Sequence, residues 1–355
     1  MNLKDLGWKS KLSNEEAKAI ARITNKQRGL CRGMTLDGEI NIYLSGKFRR
    51  KVLSGKDKPA TGDFVRFGPV YTDEQNFNAA TLKEIIPRSS KIARVSSGHV
   101  FDEQVIVANV DLAFIVTSAN DEFNLNRLQR YILLAKDGNV APIIVLSKTD
   151  LIEDSEHFVS QIKNRFEGIE IIQVSSVKNV GIEKIREKLS VGFTAVFLGS
   201  SGVGKSTIVN KLLCEQRQAT KEIRQLDSKG RHTTSTRELF FLPSGGMVID
   251  TAGLREVQIL SAKEDVSTIY REIGEISQNC RFSNCAHDKE PGCAINDALK
   301  NGLLNEAKYN NYKKLQIEAS LAAKKIKQSK ETGTKERWRT SNKNIKARRK
   351  FEEED

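Results

Sequence analysis

The stretch GSSGVGKST, from Gly199 to Thr207, has the residue types and spacing of a loop that binds phosphate groups. The apolar run TAVFL before it predicts a strand, and TIVNKLL after it predicts a helix. Backbone N–H groups at the start of such a helix can surround a phosphate, Lys205 can neutralise its charge, and the Ser206 hydroxyl can bind Mg²⁺. The predicted contact residues are Gly199, Ser200, Ser201, Gly202, Val203, Gly204, Lys205, Ser206 and Thr207.

A second set of residues indicates which base such a site would read. They follow two other apolar runs, APIIVL and IEIIQ, and are Ser147, Lys148, Thr149 and Asp150 after the first and Ser175 and Ser176 after the second. The Asp150 carboxylate can accept hydrogen bonds from N1–H and the amino group of guanine, whereas adenine presents a mismatched edge. Lys148 is expected to lie along the base plane, and the backbone of 174–176 to face the guanine oxygen. These residues favour a guanine nucleotide over ATP.

A third pattern concerns the metal ion and the terminal phosphate. Asp250 follows the run MVI and lies 45 residues beyond Lys205, and Gly253 completes a D-x-x-G sequence. Asp250 is expected beside the Mg²⁺ ion, and Gly253 beside the γ-phosphate. The intervening stretch GRHTTSTREL contains Thr233 and Thr234, either of which could join Ser206 in the Mg²⁺ shell. The alternative for these threonines is an exposed loop.

The order of these motifs along the chain is unusual. The base-reading residues come first, the phosphate loop follows some fifty residues later, and the Asp250 sequence comes last. A site assembled from strand ends depends on sheet position and not on chain order. The order therefore predicts a circular permutation of the usual arrangement, with KNVGIEKIREKLSVGFT joining the two ordinary termini.

A cluster of metal-binding residues lies beyond these motifs. The stretch CRFSNCAHDKEPGC places Cys280, Cys285, His287 and Cys293 within fourteen residues. Three thiolates and one imidazole complete a tetrahedral shell with no position for water, which is typical of structural zinc. We expect one Zn²⁺ per chain. The alternative is a set of buried thiols beside a surface histidine.

Length and composition indicate what class of protein this is. The 355 residues suffice for two or three domains, five cysteines do not suggest a disulfide framework, and no apolar run is long enough to span a bilayer. We expect a cytoplasmic monomer without membrane contact. The net charge is +13, and Lys324 to Lys350 holds twelve Lys/Arg against two Glu, a local charge of +10. This tail suits a polyanion such as RNA, and the alternative is a solubilising segment.

Periodicity divides the chain into five predicted parts. A helical extension is expected over 1–32, and short alternating segments predict an all-β barrel over 33–90. Alternating strand and helix patterns predict an α/β domain over 91–265, followed by a helical zinc-binding domain over 266–322 and the basic tail over 323–355. The basic stretch from Lys47 to Lys58 lies beside a barrel connection, where nucleic-acid binding and a solvated loop are equally open.

With these motifs the chain resembles the family of ribosome small-subunit-dependent GTPase A, a set of circularly permuted bacterial GTPases. The resemblance covers nearly the whole chain. It implies an OB-fold for the barrel, GTP hydrolysis to GDP stimulated by the small (30S) ribosomal subunit, contacts with 16S rRNA and assistance in late subunit maturation. It also implies a catalytic role for His232, which lies in the G-R-H-T-T stretch.

Two positions depart from the family pattern. Ser147 stands where the family has Asn, and Ala252 stands where it has Pro. The shorter serine is expected to make fewer bonds to the base and to the neighbouring loop, whereas Ala252 should be benign. The competing hypothesis is a zinc-dependent rRNA-binding module whose nucleotide site is vestigial.

Overall fold

The computed structural model describes residues 1–321 except 11, 28, 52–54, 96–102, 121, 214–236, 251–269, 289, 307 and 318–319. The chain divides into two compact units. The first contains Met1–Leu53, Asp57–Ala93 and Val105–Val257, and the second contains Ser54–Lys56, Arg94–Gln104 and Gln258–Asp355. None of the helices in the described part of the chain is long and apolar enough to cross a membrane.

The barrel of the first unit is a closed ring of five strands. Its order is β1-β2-β3-β6-β4, and β4 pairs again with β1. Neighbours are antiparallel except β3 and β6, which are parallel, and the short β5 adds to β6. Closure leaves no free edge among these five strands. The strands are β1 (Ile20–Lys26), β2 (Leu30–Thr35), β3 (Gly38–Tyr43), β4 (Phe64–Phe67), β5 (Tyr71–Thr72) and β6 (Asn78–Ile85).

The barrel begins earlier than the sequence predicts. In its described residues, the helical extension predicted over 1–32 contains one short helix, α1 (Asn14–Lys18), and the barrel strands β1 and the start of β2 already lie within it. Ser13 caps α1, since its hydroxyl accepts from the Glu16 amide and the Glu16 carboxylate accepts from the Ser13 amide. The polar run NEEAK forms this helix. The run after it is a strand because alternate side chains, including Ala21 and Ile23, fill the barrel core.

The α/β part of the first unit contains the predicted parallel sheet. Its order is β11-β10-β9-β12-β14-β13, parallel except for β13, which pairs antiparallel with β14. The strands are β9 (Leu112–Ser118), β10 (Ala141–Ser147), β11 (Ile171–Gln173), β12 (Thr194–Leu198), β13 (Glu238–Phe241) and β14 (Met247–Asp250). A separate two-stranded sheet consists of β7 (Lys91–Val95) and β8 (Glu103–Ala108).

Helices follow the strands of this sheet, and apolar side chains of several of them pack on it. Phe114 of β9 and Phe197 of β12 stack with ring centroids 5.1 Å apart at its centre. The helices of the first unit beyond α1 are α2 (Gly46–Lys51), α3 (Leu125–Asp137), α4 (Glu156–Arg165), α5 (Ile182–Glu187) and α6 (Lys205–Leu212), with a 3₁₀ turn at Thr149–Leu151. A further 3₁₀ turn, Gly55–Asp57, runs from the second unit into the first.

The barrel and the parallel sheet are hydrogen-bonded to each other through β1 and β13. Asn25 pairs with Glu238, and the side chains of Asn25 and Thr61 both donate to the Arg237 carbonyl oxygen. The two sheets are therefore one continuous twelve-stranded sheet. Sequence periodicity predicts the barrel and the α/β sheet as separate parts, because a strand pattern does not identify the strand with which it pairs.

A buried arginine fixes the same junction. Arg22 on β1 has no exposed surface, and its guanidinium donates to the carbonyl oxygens of Leu6 and of Asn109, the latter at 2.8 Å. Burial lowers the pKa of Arg22 to about 10, an effect that the nearby Asp111 and Asp63 carboxylates oppose. Arg22 thus ties the N-terminal segment, the barrel and the α/β sheet together.

The second unit is helical around the cysteine cluster. It contains α7 (Arg271–Ser277), α8 (Ala294–Lys300) and a helix over 308–317. Tyr270 before α7 packs edge-on against Tyr312 of the last helix, with ring centroids 5.2 Å apart. The buried residues Ile273, Ile295 and Leu315 line the interior of these helices.

Candidate nucleotide site and metal centre

The predicted nucleotide residues lie at one edge of the parallel sheet. Strands β9, β10, β11, β12 and β14 are parallel, so their carboxyl ends meet at the same edge. The phosphate loop follows β12, the SKTD sequence begins at the end of β10, Ser175 and Ser176 follow β11, and Asp250 ends β14. The sheet brings together residues that the chain separates by more than 100 positions.

Two glycines set the shape of the phosphate loop. Gly199 has a φ of +145°, and a Cβ there would lie 2.3 Å from the Val116 carbonyl oxygen. Gly204 has a φ of +96° and is the residue immediately before α6. Any other residue would strain the backbone at both points. The loop therefore reaches the N-terminus of α6 with its backbone N–H groups available to an anion.

Lys205 lies inside the loop that precedes it. Its ammonium donates to the Gly199 carbonyl oxygen at 2.9 Å and to the Ser200 carbonyl oxygen at 2.5 Å. Burial lowers the pKa of Lys205, and the Asp250 carboxylate opposes that shift. The cation and the acidic residue predicted for phosphate and Mg²⁺ are therefore close enough to interact. Carboxylate and hydroxyl oxygens suit Mg²⁺, and Asp250 and Ser206 supply both.

Ser147 connects the base-reading segment to the phosphate loop. Its side chain is 2% exposed, and its hydroxyl oxygen lies 2.6 Å from the Val203 carbonyl oxygen and 3.0 Å from that of Thr117. A hydroxyl has one hydrogen, so it donates to one of these acceptors at a time. The serine that replaces the family's asparagine thus retains a direct bond to the phosphate loop.

Asp150 is held in place by the second base loop. The Ser175 hydroxyl donates to Asp150 Oδ1 at 2.6 Å, and this bond is the main reason that the pKa of Asp150 lies below its ordinary value. Ser175 is itself fixed, since its oxygen accepts from the Lys178 amide. The sequence assigned Ser175 a backbone role and missed this side-chain contact. A serine directly after the strand β11 was the available signal.

Several predicted residues lie outside the described residues. They are His232, Thr233 and Thr234 of the predicted switch stretch and Gly253 of the D-x-x-G sequence. Ser176, Ser201 and Thr207 are described and lie at the predicted edge of the sheet.

One contact to the phosphate loop has no counterpart in the sequence predictions. Arg127, in the first turn of α3, donates from Nη1 to the Ser200 hydroxyl at 2.9 Å. Arg127 lies 73 positions before Ser200, so no local pattern predicts the pair. The signal was positional, since α3 follows β9, the strand next to β12.

The four predicted metal ligands form one cluster. Their donor atoms, from Cys280, Cys285, His287 and Cys293, all lie within 4.8 Å of one another. His287 Nδ1 is 3.5 Å from the sulfur of Cys280 and 3.5 Å from that of Cys293. Zinc bonds of about 2.3 Å to sulfur and about 2.0 Å to nitrogen would separate such ligands by about 3.5 Å in a tetrahedron. The cluster therefore fits a zinc ion.

The surrounding backbone supports the cluster. The Glu290 carboxylate accepts from the amides of Ala286 and Asp288, which flank His287. These bonds fix the turn in which His287 has a φ of +60°. The Glu290 carboxylate therefore supports the turn that carries His287.

The strand order and the edge site define the chain as a circularly permuted P-loop GTPase. Residues 85–260 match the family described as RsgA GTPase, and the chain belongs to that family. A small ribosomal subunit biogenesis GTPase RsgA of Methanosarcina acetivorans is 36% identical over 93% of this chain and 87% of its own length. One of Listeria innocua, named RsgA 1, is 36% identical over 98% of this chain and 97% of its own length.

Solved structures agree with this assignment. YjeQ from Thermotoga maritima has a TM-score of 0.60 and 25% identity over 85% of this chain and 98% of its own length. YloQ, described as a circularly permuted GTPase, has a TM-score of 0.58 and 24% identity, and it supports the fold. The enzyme class predicted from the sequence, a GTP hydrolase, is confirmed by the family.

Proposed function

We propose that this protein binds GTP at the edge of its parallel sheet and hydrolyses it to GDP and phosphate while assisting late maturation of the small ribosomal subunit. The observation that carries the nucleotide assignment is the bond between Ser175 and Asp150, 2.6 Å long, beside a loop closed on Lys205. Asp150 and the phosphate loop follow parallel strands of one sheet, and this shared edge supports a role for the oriented carboxylate in guanine binding. The ribosomal role is supported by the names of the relatives.

Each residue of the site has a separate task in this proposal. The Asp150 carboxylate accepts from guanine, and Lys148 lies along the base. Lys205 exchanges its bonds to loop carbonyls for bonds to the β- and γ-phosphates. Asp250 and the hydroxyls of Ser206 and Thr234 would hold Mg²⁺, which would neutralise charge on the nucleotide phosphates.

The attacking water needs a group to orient it. Leu254 follows the D-x-x-G sequence, where Ras-like GTPases have a glutamine, and a leucine has no atom that could hold a water. We assign this role to His232, which stands beside the switch threonines in sequence. Docking on the subunit then places His232 over the γ-phosphate. Intrinsic hydrolysis should accordingly be slow, and subunits should accelerate it.

The remaining parts of the chain serve the ribosome in this proposal. One zinc ion held by Cys280, Cys285, His287 and Cys293 stabilises the second unit. The barrel and the basic tail contact 16S rRNA, since the tail's charge of +10 favours phosphate contacts. The protein acts in the cytoplasm as a monomer.

The test is GTP turnover with and without purified small subunits, for the wild type and for His232→Ala. The variant should bind GTP and subunits normally, but its subunit-stimulated rate of hydrolysis should fall by at least about 10²-fold. His157→Ala, on the exposed face of α4, is the matched control and should retain that rate. Wild-type turnover that no ribosomal particle changes would instead favour an rRNA-binding module with a vestigial nucleotide site.

A further inference from the structure

The segment that leads from β9 into α3 is fixed beside the phosphate loop. Strands β9 and β12 are adjacent and parallel, so the residues after each strand emerge side by side. The Ser118 hydroxyl donates to Asn120 Oδ1 at 2.6 Å, and Asn124 Oδ1 accepts from the Arg127 amide at 2.9 Å. The second bond caps α3 and sets the direction of its first turn. The backbone of Arg127 is therefore held by the cap, independently of any contact that its side chain makes.

The Arg127 side chain extends from this anchor to the first arm of the phosphate loop. Its Nη1 donates to the Ser200 hydroxyl at 2.9 Å, and the Ser200 carbonyl oxygen accepts from Lys205. Two cations thus meet at one loop residue, one outside the loop and one inside it. Among the described residues, no carboxylate forms an ion pair with Arg127. Within the described part of the chain, the Arg127 guanidinium is hydrogen-bonded to the Ser200 hydroxyl of the loop.

The geometry of this contact suits a brace better than a direct phosphate ligand. Ser200 lies between β12 and the turn of the loop, and its hydroxyl faces α3, on the side away from β14 and Asp250. Mg²⁺ and the γ-phosphate belong to the Asp250 side of the proposed site. A guanidinium is planar and pre-organised, so it loses less side-chain freedom per hydrogen bond than an ammonium and suits a fixed contact to Ser200.

We infer that Arg127 is a positioning residue for nucleotide binding, acting through Ser200 on the first arm of the phosphate loop. The inference rests on the proposed nucleotide site. Because the loop holds the phosphates of GTP and GDP alike, the brace contributes to the affinity for both. It touches no reacting atom, so it contributes little to the chemical step once the site is filled.

The experiment measures dissociation constants of fluorescent GTP and GDP analogues, together with kcat and KM for GTP. Arg127→Ala should raise both dissociation constants by about three- to tenfold, the usual effect of losing one partly exposed charged hydrogen bond. KM should rise in parallel, and kcat should stay within about twofold. Ser200→Ala should give a similar loss, and the double variant should lose no more than either single variant.

Two further variants and one measurement separate the brace from other roles. Lys136→Ala removes a positive charge from the exposed last turn of the same helix, about 14 Å away along its axis, and should leave affinity unchanged. Arg127→Lys should recover part of the affinity because it keeps the charge and a donor. Thermal unfolding of each variant reports whether α3 itself is weakened.

The outcomes distinguish this inference from the proposed function. Additive losses in the double variant, unchanged affinities in Arg127→Ala, or a fall in kcat with unchanged dissociation constants would each overturn the brace. Failure of the wild type to bind either nucleotide would instead overturn the proposed site itself.

Discussion

Replacing Asp150 by asparagine should change the base preference of the site from guanine to xanthine. The carboxylate offers about four lone-pair sites, of which the Ser175 hydroxyl occupies one. The others can accept from N1–H and the amino group of guanine. An asparagine oxygen can accept one of these bonds, but its NH₂ group faces the other donor. Two charge-assisted bonds are affected, each worth about tenfold or more in an equilibrium constant. The affinity for GDP should fall by at least about 10²-fold.

Xanthine tests the same reasoning in the opposite direction. It carries a carbonyl oxygen where guanine carries the amino group, so it repels Asp150 but can accept from an asparagine NH₂. Asp150→Asn should therefore bind xanthosine diphosphate more tightly than GDP. The phosphate contacts are the same for both nucleotides, so the ratio of the two affinities isolates the base.

The assay is a titration of both nucleotides by calorimetry with the variant and a control. Asp154→Asn removes the same charge four residues later, from an exposed side chain whose oxygen accepts from the Glu156 amide. That acceptor survives the substitution, and both affinities should match the wild type. GDP binding by Asp150→Asn within threefold of the wild type, or an equal loss in Asp154→Asn, would refute the assignment of Asp150 to guanine.

The Ser175 bond adds a pH dependence to this prediction. A lowered pKa keeps the Asp150 carboxylate ionised to a lower pH than an ordinary aspartate. Ser175→Ala removes the main cause, so the pKa should rise towards its usual value. GDP affinity should then begin to fall at a higher pH in Ser175→Ala than in the wild type as the solution is acidified. Identical pH profiles would contradict this role of the hydroxyl.

Three further predictions concern the rest of the chain. Cys285→Ser should abolish zinc binding and loosen 270–321 while GTP binding survives; zinc-free wild-type protein purified without chelators would rule the site out. Arg22→Ala should lower the free energy of unfolding by about 2–5 kcal/mol, because a buried and a partly buried carbonyl oxygen lose their donor, whereas Arg66→Ala, at a partly exposed ion pair, should cost under about 1 kcal/mol in urea titrations. Deletion of Lys324–Asp355 should weaken binding to small subunits and flatten its salt dependence, and an unchanged slope would mean that the tail does not touch RNA.

The sequence by itself determined the enzyme class of this protein and the order of its motifs. A strand, a glycine-rich loop and a helix are consecutive in the chain, so the phosphate loop could be recognised from local spacing alone. The same holds for the Cys/His cluster, whose four proposed zinc ligands lie within fourteen residues. The permuted order of the motifs was also visible without any coordinates.

Contacts between distant segments were decided by the tertiary structure. The bonds from Ser147 to Val203, from Ser175 to Asp150 and from Arg127 to Ser200 span 56, 25 and 73 positions. Contacts between distant segments also decide the early start of the barrel at Ile20 and the burial of Arg22. Periodicity records which face of an element is buried but not which element covers it. Which side chains meet at the sheet edge depends on strand order and register, and these are set by packing across the whole unit.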